Sequence, residues 1–202
     1  MNTIAIDVAL LVPNEIDDLC IDLNHEENAK AFSELNKIDN HPHITLTMGV
    51  IEEEKLEEAI KIVDEIISDF SPLRLSIISK QQETMPNGKS SDEFYVESTN
   101  EIVELHKRIL ASLAPILSFD PTIEMFFKDE NEIIETVSTY WIEHYKEKLN
   151  HPEKFSPHIS LKCENCSYSS FPVDFTTSKL VLAQLGNYCT IRPLLHEFDL
   201  TK

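Results

Sequence analysis

Apolar residues fill positions 3–12 (TIAIDVALLV) almost without a break, and Pro13 ends the run, which predicts a buried first strand. Asn14, with Asp17 and Asp18 in the turn that follows, predicts a helix start. An interrupted helical period then continues to about Ile38, and Asn40-His41-Pro42 breaks it. Residues 43–51 (HITLTMGVI) alternate: His43, Thr45 and Thr47 fall on one face, and Ile44, Leu46 and Met48 on the other. That is a strand with a polar face and a core face. Over 53–70 the period becomes helical, with Leu56, Ala59, Ile60, Val63, Ile66, Ile67 and Phe70 on one side, and Ser71-Pro72 closes it. Strands are predicted at 73–79 and 93–98, joined by a polar stretch carrying Asn87-Gly88. Helical patterns follow over 100–117, capped at Asn100, and over 129–149, where acids come early and lysines late, as the helix dipole favours. Residues 158–163 (HISLKC) alternate again, with His158, Ser160 and Lys162 on one face and Ile159 and Leu161 on the other. The remainder reads as strands: VDFTT, KLVLAQLG and LLHEFDL.

Helix, histidine-bearing strand and further strands therefore occur twice. The order predicts an α+β fold of two lobes, each an antiparallel sheet flanked by helices, with approximate two-fold symmetry and a cleft between them. Residues 1–202 are expected to form one such two-lobed unit. Pro42 and Pro157 stand at the starts of the two matching strands, where proline is tolerated.

Composition narrows the function. Three glycines leave no room for a glycine-rich phosphate loop, and none of the nucleotide-binding glycine patterns is present. The net charge is −19, and Arg74, Arg108 and Arg192 are the only arginines. A groove for long nucleic acid needs a basic stripe, so a nucleic-acid substrate would have to be a short piece or a terminus. The first residues lack the basic start and cleavage pattern of a secretory signal, and no apolar run reaches the ~18 residues of a membrane span. A cytoplasmic monomer with free thiols is expected.

The chemistry lies in the repeat PHITL (42–46) and PHISL (157–161). Residues i and i+2 of a strand point the same way, so each copy presents an imidazole beside a hydroxyl: His43 with Thr45, His158 with Ser160. Two histidines on either side of a phosphorus suit in-line displacement, one taking a proton from the nucleophile and the other giving one to the leaving oxygen. The hydroxyls can donate to non-bridging phosphate oxygens, and Lys162 can add a local positive charge. The paired H-x-[ST]-hydrophobic motifs, HITL at 43–46 and HISL at 158–161, resemble the signatures of the two-histidine phosphoesterase superfamily. That superfamily includes 2′-5′ RNA ligase-like proteins, RNA 2′,3′-cyclic phosphodiesterases and 2′,5′-oligoadenylate phosphodiesterases. The resemblance implies a bilobal fold and metal-independent phosphodiester chemistry without a cofactor. It further implies a small nucleotide or RNA end as substrate, His43 and His158 as catalytic residues, and Thr45 and Ser160 beside them. A non-catalytic nucleotide-binding module and an RNA ligase remain alternatives.

Other features carry less. Cys163-x-x-Cys166 lacks a second pair, so neither a zinc site nor a redox role is expected of it. Tyr95, Phe126, Phe127, Tyr140, Trp141 and Tyr168 include candidates for stacking on a base.

Overall fold

The computed structural model describes residues 2–201. Its strands are β1 (Thr3–Leu11), β2 (His43–Glu52), β3 (Leu73–Thr84), β4 (Ser90–Val96), β5 (His158–Ser160), β6 (Val173–Thr177), β7 (Lys179–Leu185) and β8 (Ile191–Asp199). Its helices are α1 (Asn14–Asn24), α2 (Leu56–Ile67), α3 (Asn100–Leu113), α4 (Val137–Tyr145) and the single turn α5 (Glu147–Asn150). The strands form two four-stranded antiparallel sheets, ordered β2-β1-β7-β8 and β5-β4-β3-β6. Each sheet carries its histidine strand at one edge. The expected α+β architecture is therefore present, and the two edge strands β2 and β5 lie against each other.

One hydrophobic cluster runs through both sheets. It joins Ile44 and Leu46 of β2 to Phe94 of β4, Ile159 and Leu161 of the second motif, and Ile102, Leu105 and Ile109 of α3. The apolar halves of both repeats are thus buried, as their alternation predicts; Ile44, Leu46, Ile159 and Leu161 each read 0% exposed.

The alternation in β2 fails after Leu46. The register steps from Ala9↔Thr45 to Val8↔Thr47, leaving Leu46 as the extra residue of a β-bulge. Thr47 is consequently buried at 1% rather than sharing the polar face of His43 and Thr45. Met48 packs in a separate cluster with Ala5, Val50 and Ile142. The Leu46 carbonyl is held by His106 Nδ1 (2.6 Å) and the Tyr145 hydroxyl (2.8 Å).

Several element limits differ from the pattern. The first helix stops at Asn24, because the Asn24 side chain leaves the helix direction to bind elsewhere. Its Nδ2 donates to Leu161 O (2.8 Å) and Ser33 O (3.0 Å), and its Oδ1 accepts from Leu35 N (3.1 Å). Residues 25–41 are irregular and lean on the tail of the second motif, with Phe32 N donating to Lys162 O and Lys30 N to Glu164 O. Helix over 129–149 shrinks to α4 and α5, since the early acids are drawn away: Arg192 pairs with Asp129 and Glu132, and Asn187 Oδ1 accepts from Glu135 N. The caps sit one residue earlier than expected. Pro13 precedes α1, and Thr99, whose hydroxyl accepts from Ile102 N, caps α3. The β3–β4 hairpin is longer than predicted, and Gly88 at its tip takes φ 81°, open to glycine without strain. The strand predicted at 158–163 keeps only three residues. Lys162 turns into the left-handed region (φ 54°), so it does not continue the face of His158 and Ser160. Among the described residues no helix is long and apolar enough to cross a membrane.

Asn24 ties the α1 end to Leu161, just after β5 of the other sheet, so its loss tests how much that clasp contributes. Asn24→Ala leaves buried backbone groups unpaired, at roughly 1–3 kcal/mol each in the worst case. We expect a lower urea midpoint with an unchanged slope; an unchanged midpoint would show that the clasp adds nothing.

Candidate active site

Each histidine is set by the same local device. A proline precedes it, and the carbonyl two residues back accepts from its ring: His43 Nδ1 lies 2.7 Å from His41 O, and His158 Nδ1 lies 2.9 Å from Ser156 O. Proline has no N–H, and it holds the residue before it extended, which leaves that carbonyl free for the ring. With Nδ1 donating, Nε2 is the nitrogen that can take or give the working proton.

Beside each Nε2 stands a carboxylate from the neighbouring strand. Asp7 Oδ2 of β1 is 3.7 Å from His43 Nε2, and Glu93 Oε2 of β4 is 3.8 Å from His158 Nε2. The hydroxyls follow the same plan. Thr45 Oγ1 donates to Asp7 Oδ2 at 2.7 Å, and Ser160 Oγ shares a 3.0 Å hydrogen bond with Ser91 Oγ. On the second sheet Ser160 pairs directly with Glu93 and His158 with Tyr95. Ser91, Glu93 and Tyr95 alternate along β4 and share the histidine's face.

The halves differ in depth. The His43 side chain is 9% exposed and that of His158 40%. Burial, then the nearby Lys162 cation, pushes the His43 imidazole down to about 3. Burial raises Asp7 to about 7 against the hydrogen bond from Thr45, and Asp7 Oδ1 has no partner. Burial likewise raises Glu93, against the pull of His158.

Two lysines face this group. Lys162 is buried; its Nζ donates to Tyr188 O (2.6 Å), and burial lowers its affinity for a proton. Its charge acts on Asp7 and His43 of one half and on Glu93 of the other. Lys148, from α5, packs over the Tyr145 ring; burial brings it down to about 8, opposed by Asp7. Of the predicted residues, His43 and Thr45 lie on β2 beside Asp7, His158 and Ser160 lie on β5 beside Glu93 and Ser91, the two strands are in contact, and Lys162 arrives from a turn rather than from the strand face. His43 in turn feels His158 as a neighbouring charge.

Asp7, Glu93, Ser91 and Lys148 were missed by the motif reading. Asp7 had a signal, since it is the one charged residue in the apolar run 3–12 and a buried strand rarely tolerates an unpaired acid. Of the aromatic candidates, Tyr95 lies beside His158, with ring centroids 6.2 Å apart. Phe126 is in the core, and Tyr168 packs on Phe94 and Phe171. All four cysteines are free thiols and buried, with Cys163 and Cys166 in contact through their sulfurs. Among the described residues no group of three or more histidine, cysteine or acidic side chains converges to hold a metal ion.

No protein-family model and no curated protein matches the sequence. Solved structures do match the fold. Escherichia coli LigT, crystallised with NADP+, superposes with a TM-score of 0.60 at 14% identity over 100% of both chains. TT0787 of Thermus thermophilus gives 0.59 at 14% identity over 98% of each chain. A protein described as a phosphoesterase gives 0.58 at 13% identity, over 98% of this chain and 99% of its own. LigT has also been crystallised with phosphate, 3′-AMP and ATP. At these identities the likeness establishes the fold: this chain is built as LigT is, along its whole length.

Proposed function

We propose that the chain is a two-histidine phosphoesterase, which opens a 2′,3′-cyclic phosphate or cleaves a 2′-5′ phosphodiester in a small nucleotide or at an RNA end. The observation that carries this reading is the duplicated imidazole setting: each Nδ1 is fixed on its own chain's carbonyl, and each Nε2 is left beside a carboxylate. A binding module gains nothing from two such acid/base groups, whereas displacement at phosphorus uses both. The small nucleotides bound to LigT, a protein of the same fold, support a ligand of that size.

In this reading a phosphodiester lies between β2 and β5. One histidine removes a proton from the attacking water, and the other protonates the leaving ribose oxygen. Lys162 and Lys148 supply positive charge that the acidic surface does not, and Ser160 offers a hydroxyl to a non-bridging oxygen. Arg192 and Arg108 are engaged with acids elsewhere, which leaves lysines for this work.

Every proton-carrying group in this scheme is a side chain, so the expected turnover of a nucleoside 2′,3′-cyclic phosphate or a 2′-5′ dinucleotide is the same with and without EDTA. Activity that vanished with chelator and returned with zinc or magnesium would contradict the scheme. A companion assay joining a cyclic-phosphate end to a 5′-hydroxyl end separates hydrolysis from ligation.

A further inference from the structure

Asp7 is an expensive residue where it stands. It reads 0% exposed on a central strand, one of its oxygens has no hydrogen-bond partner, and an uncompensated buried carboxylate costs several kcal/mol in general. Its other oxygen is 2.7 Å from Thr45 Oγ1 and 3.7 Å from His43 Nε2, the one imidazole nitrogen not used in fixing the ring. Nothing about a strand core calls for an acid here; Ala5 and Ala9, on the same face of β1, are also fully buried.

We propose that Asp7 and His43 hold one proton between them and deliver it as a unit to the leaving oxygen, with His158 as the base. The assignment deepens the phosphoesterase reading and rests on it. It follows from depth and surroundings. The proton-holding pair is sealed from water, where a stored proton is kept, and His158 is the more exposed imidazole, where an attacking water can reach it.

The groups that face Asp7 fit this role. On β2 they are His43 and Thr45. Lys162, after β5, and Lys148, on α5, lower its proton affinity; Tyr145 on α4 and Cys189 in the β7–β8 turn feel its charge and are neutral partners. The cations keep the acid from holding its proton too tightly, and burial keeps it from losing the proton too early. The balance falls at about 7.

The step balances simply. Water oxygen bonds to phosphorus while its proton passes to His158. The bond from phosphorus to the ribose oxygen breaks, and that oxygen takes the proton from His43 Nε2. The Asp7–His43 unit goes from one proton to none, His158 from none to one, and solvent exchange restores both.

The test compares leaving groups. A ribose oxygen needs protonation as it departs, and a 4-nitrophenolate does not. Asp7→Asn keeps the shape and the acceptor for Thr45 but cannot hold a proton. On a 2′,3′-cyclic nucleotide it is expected to lose about 100-fold or more, the lower range of acid/base contributions. On a nucleoside 4-nitrophenyl phosphodiester it should keep most of the parent rate, as should His43→Ala, while His158→Ala loses both. Equal losses by Asp7→Asn on the two substrates, or none on either, would overturn the proposal. A parent inert toward every phosphodiester would overturn the phosphoesterase reading instead. Carboxyl and imidazole NMR titration of the unmutated protein needs neither variant nor turnover. Asp7 and His43 should titrate in one joint step near pH 7; an Asp7 step near its ordinary ~3.9, independent of His43, would overturn the proposal.

Discussion

His158→Ala is expected to cut turnover of a 2′,3′-cyclic phosphate by about 10²–10⁴-fold while leaving the fold intact, because in the proposed mechanism the lost group carries a proton in the displacement. His43→Ala should fall in the same range on that substrate. The fold should survive because both rings stand on edge strands, outside the shared hydrophobic cluster. The double variant is informative. Two groups acting on one phosphorus work as a unit, so losing both should cost little more than losing one. Additive losses, or either single variant retaining full activity on a substrate the parent cleaves, would refute joint action.

The second large effect is expected at Lys162. Its ammonium is the buried counter-charge to Asp7 and Glu93, and its Nζ is the donor to Tyr188 O. Lys162→Met keeps the length and apolar stem but leaves the acids uncompensated; removing one partner of a buried charge group typically costs about 3–5 kcal/mol. The loss should grow with pH, and the sign follows from Asp7. Burial raises its folded-state value from 3.8 to about 7, so below that point the folded protein holds Asp7 neutral and needs no counter-charge. As pH rises through about 7, Asp7 ionises in the fold, and the missing Lys162 is felt in full. Urea unfolding of Lys162→Met and parent at mildly acidic and mildly alkaline pH measures this directly. A gap that narrows with rising pH would show that Lys162 does not compensate Asp7.

The two histidine strands were legible in the sequence for a physical reason. Period-two alternation is a local signal, and its recurrence with the same proline and the same apolar pair made chance agreement improbable. The bulge at Leu46 was not legible, since it arises from pairing with β1 rather than from β2 itself. Residues 25–41 kept an apolar spacing close to that of a helix, but their apolar side chains serve a strap between the halves, with Leu35 in the shared core. The acid-rich stretch before α4 looked like a helix start by the dipole rule, yet Arg192, distant in sequence, outcompeted the dipole for those carboxylates. The acids beside the histidines were hidden for a similar reason. Asp7 and Glu93 lie on strands whose neighbours are set only by sheet order, which places the acid strand next to the histidine strand in both halves.

The central claim is that His43 and His158 act on one phosphate. A crystal structure with 3′-AMP or inorganic phosphate bound tests it most directly. The expected result is a single phosphate in the β2–β5 cleft, with both Nε2 atoms within hydrogen-bond distance of its oxygens, about 2.7–3.2 Å. A phosphate held by only one of the two histidines, or seated away from both, would contradict the account.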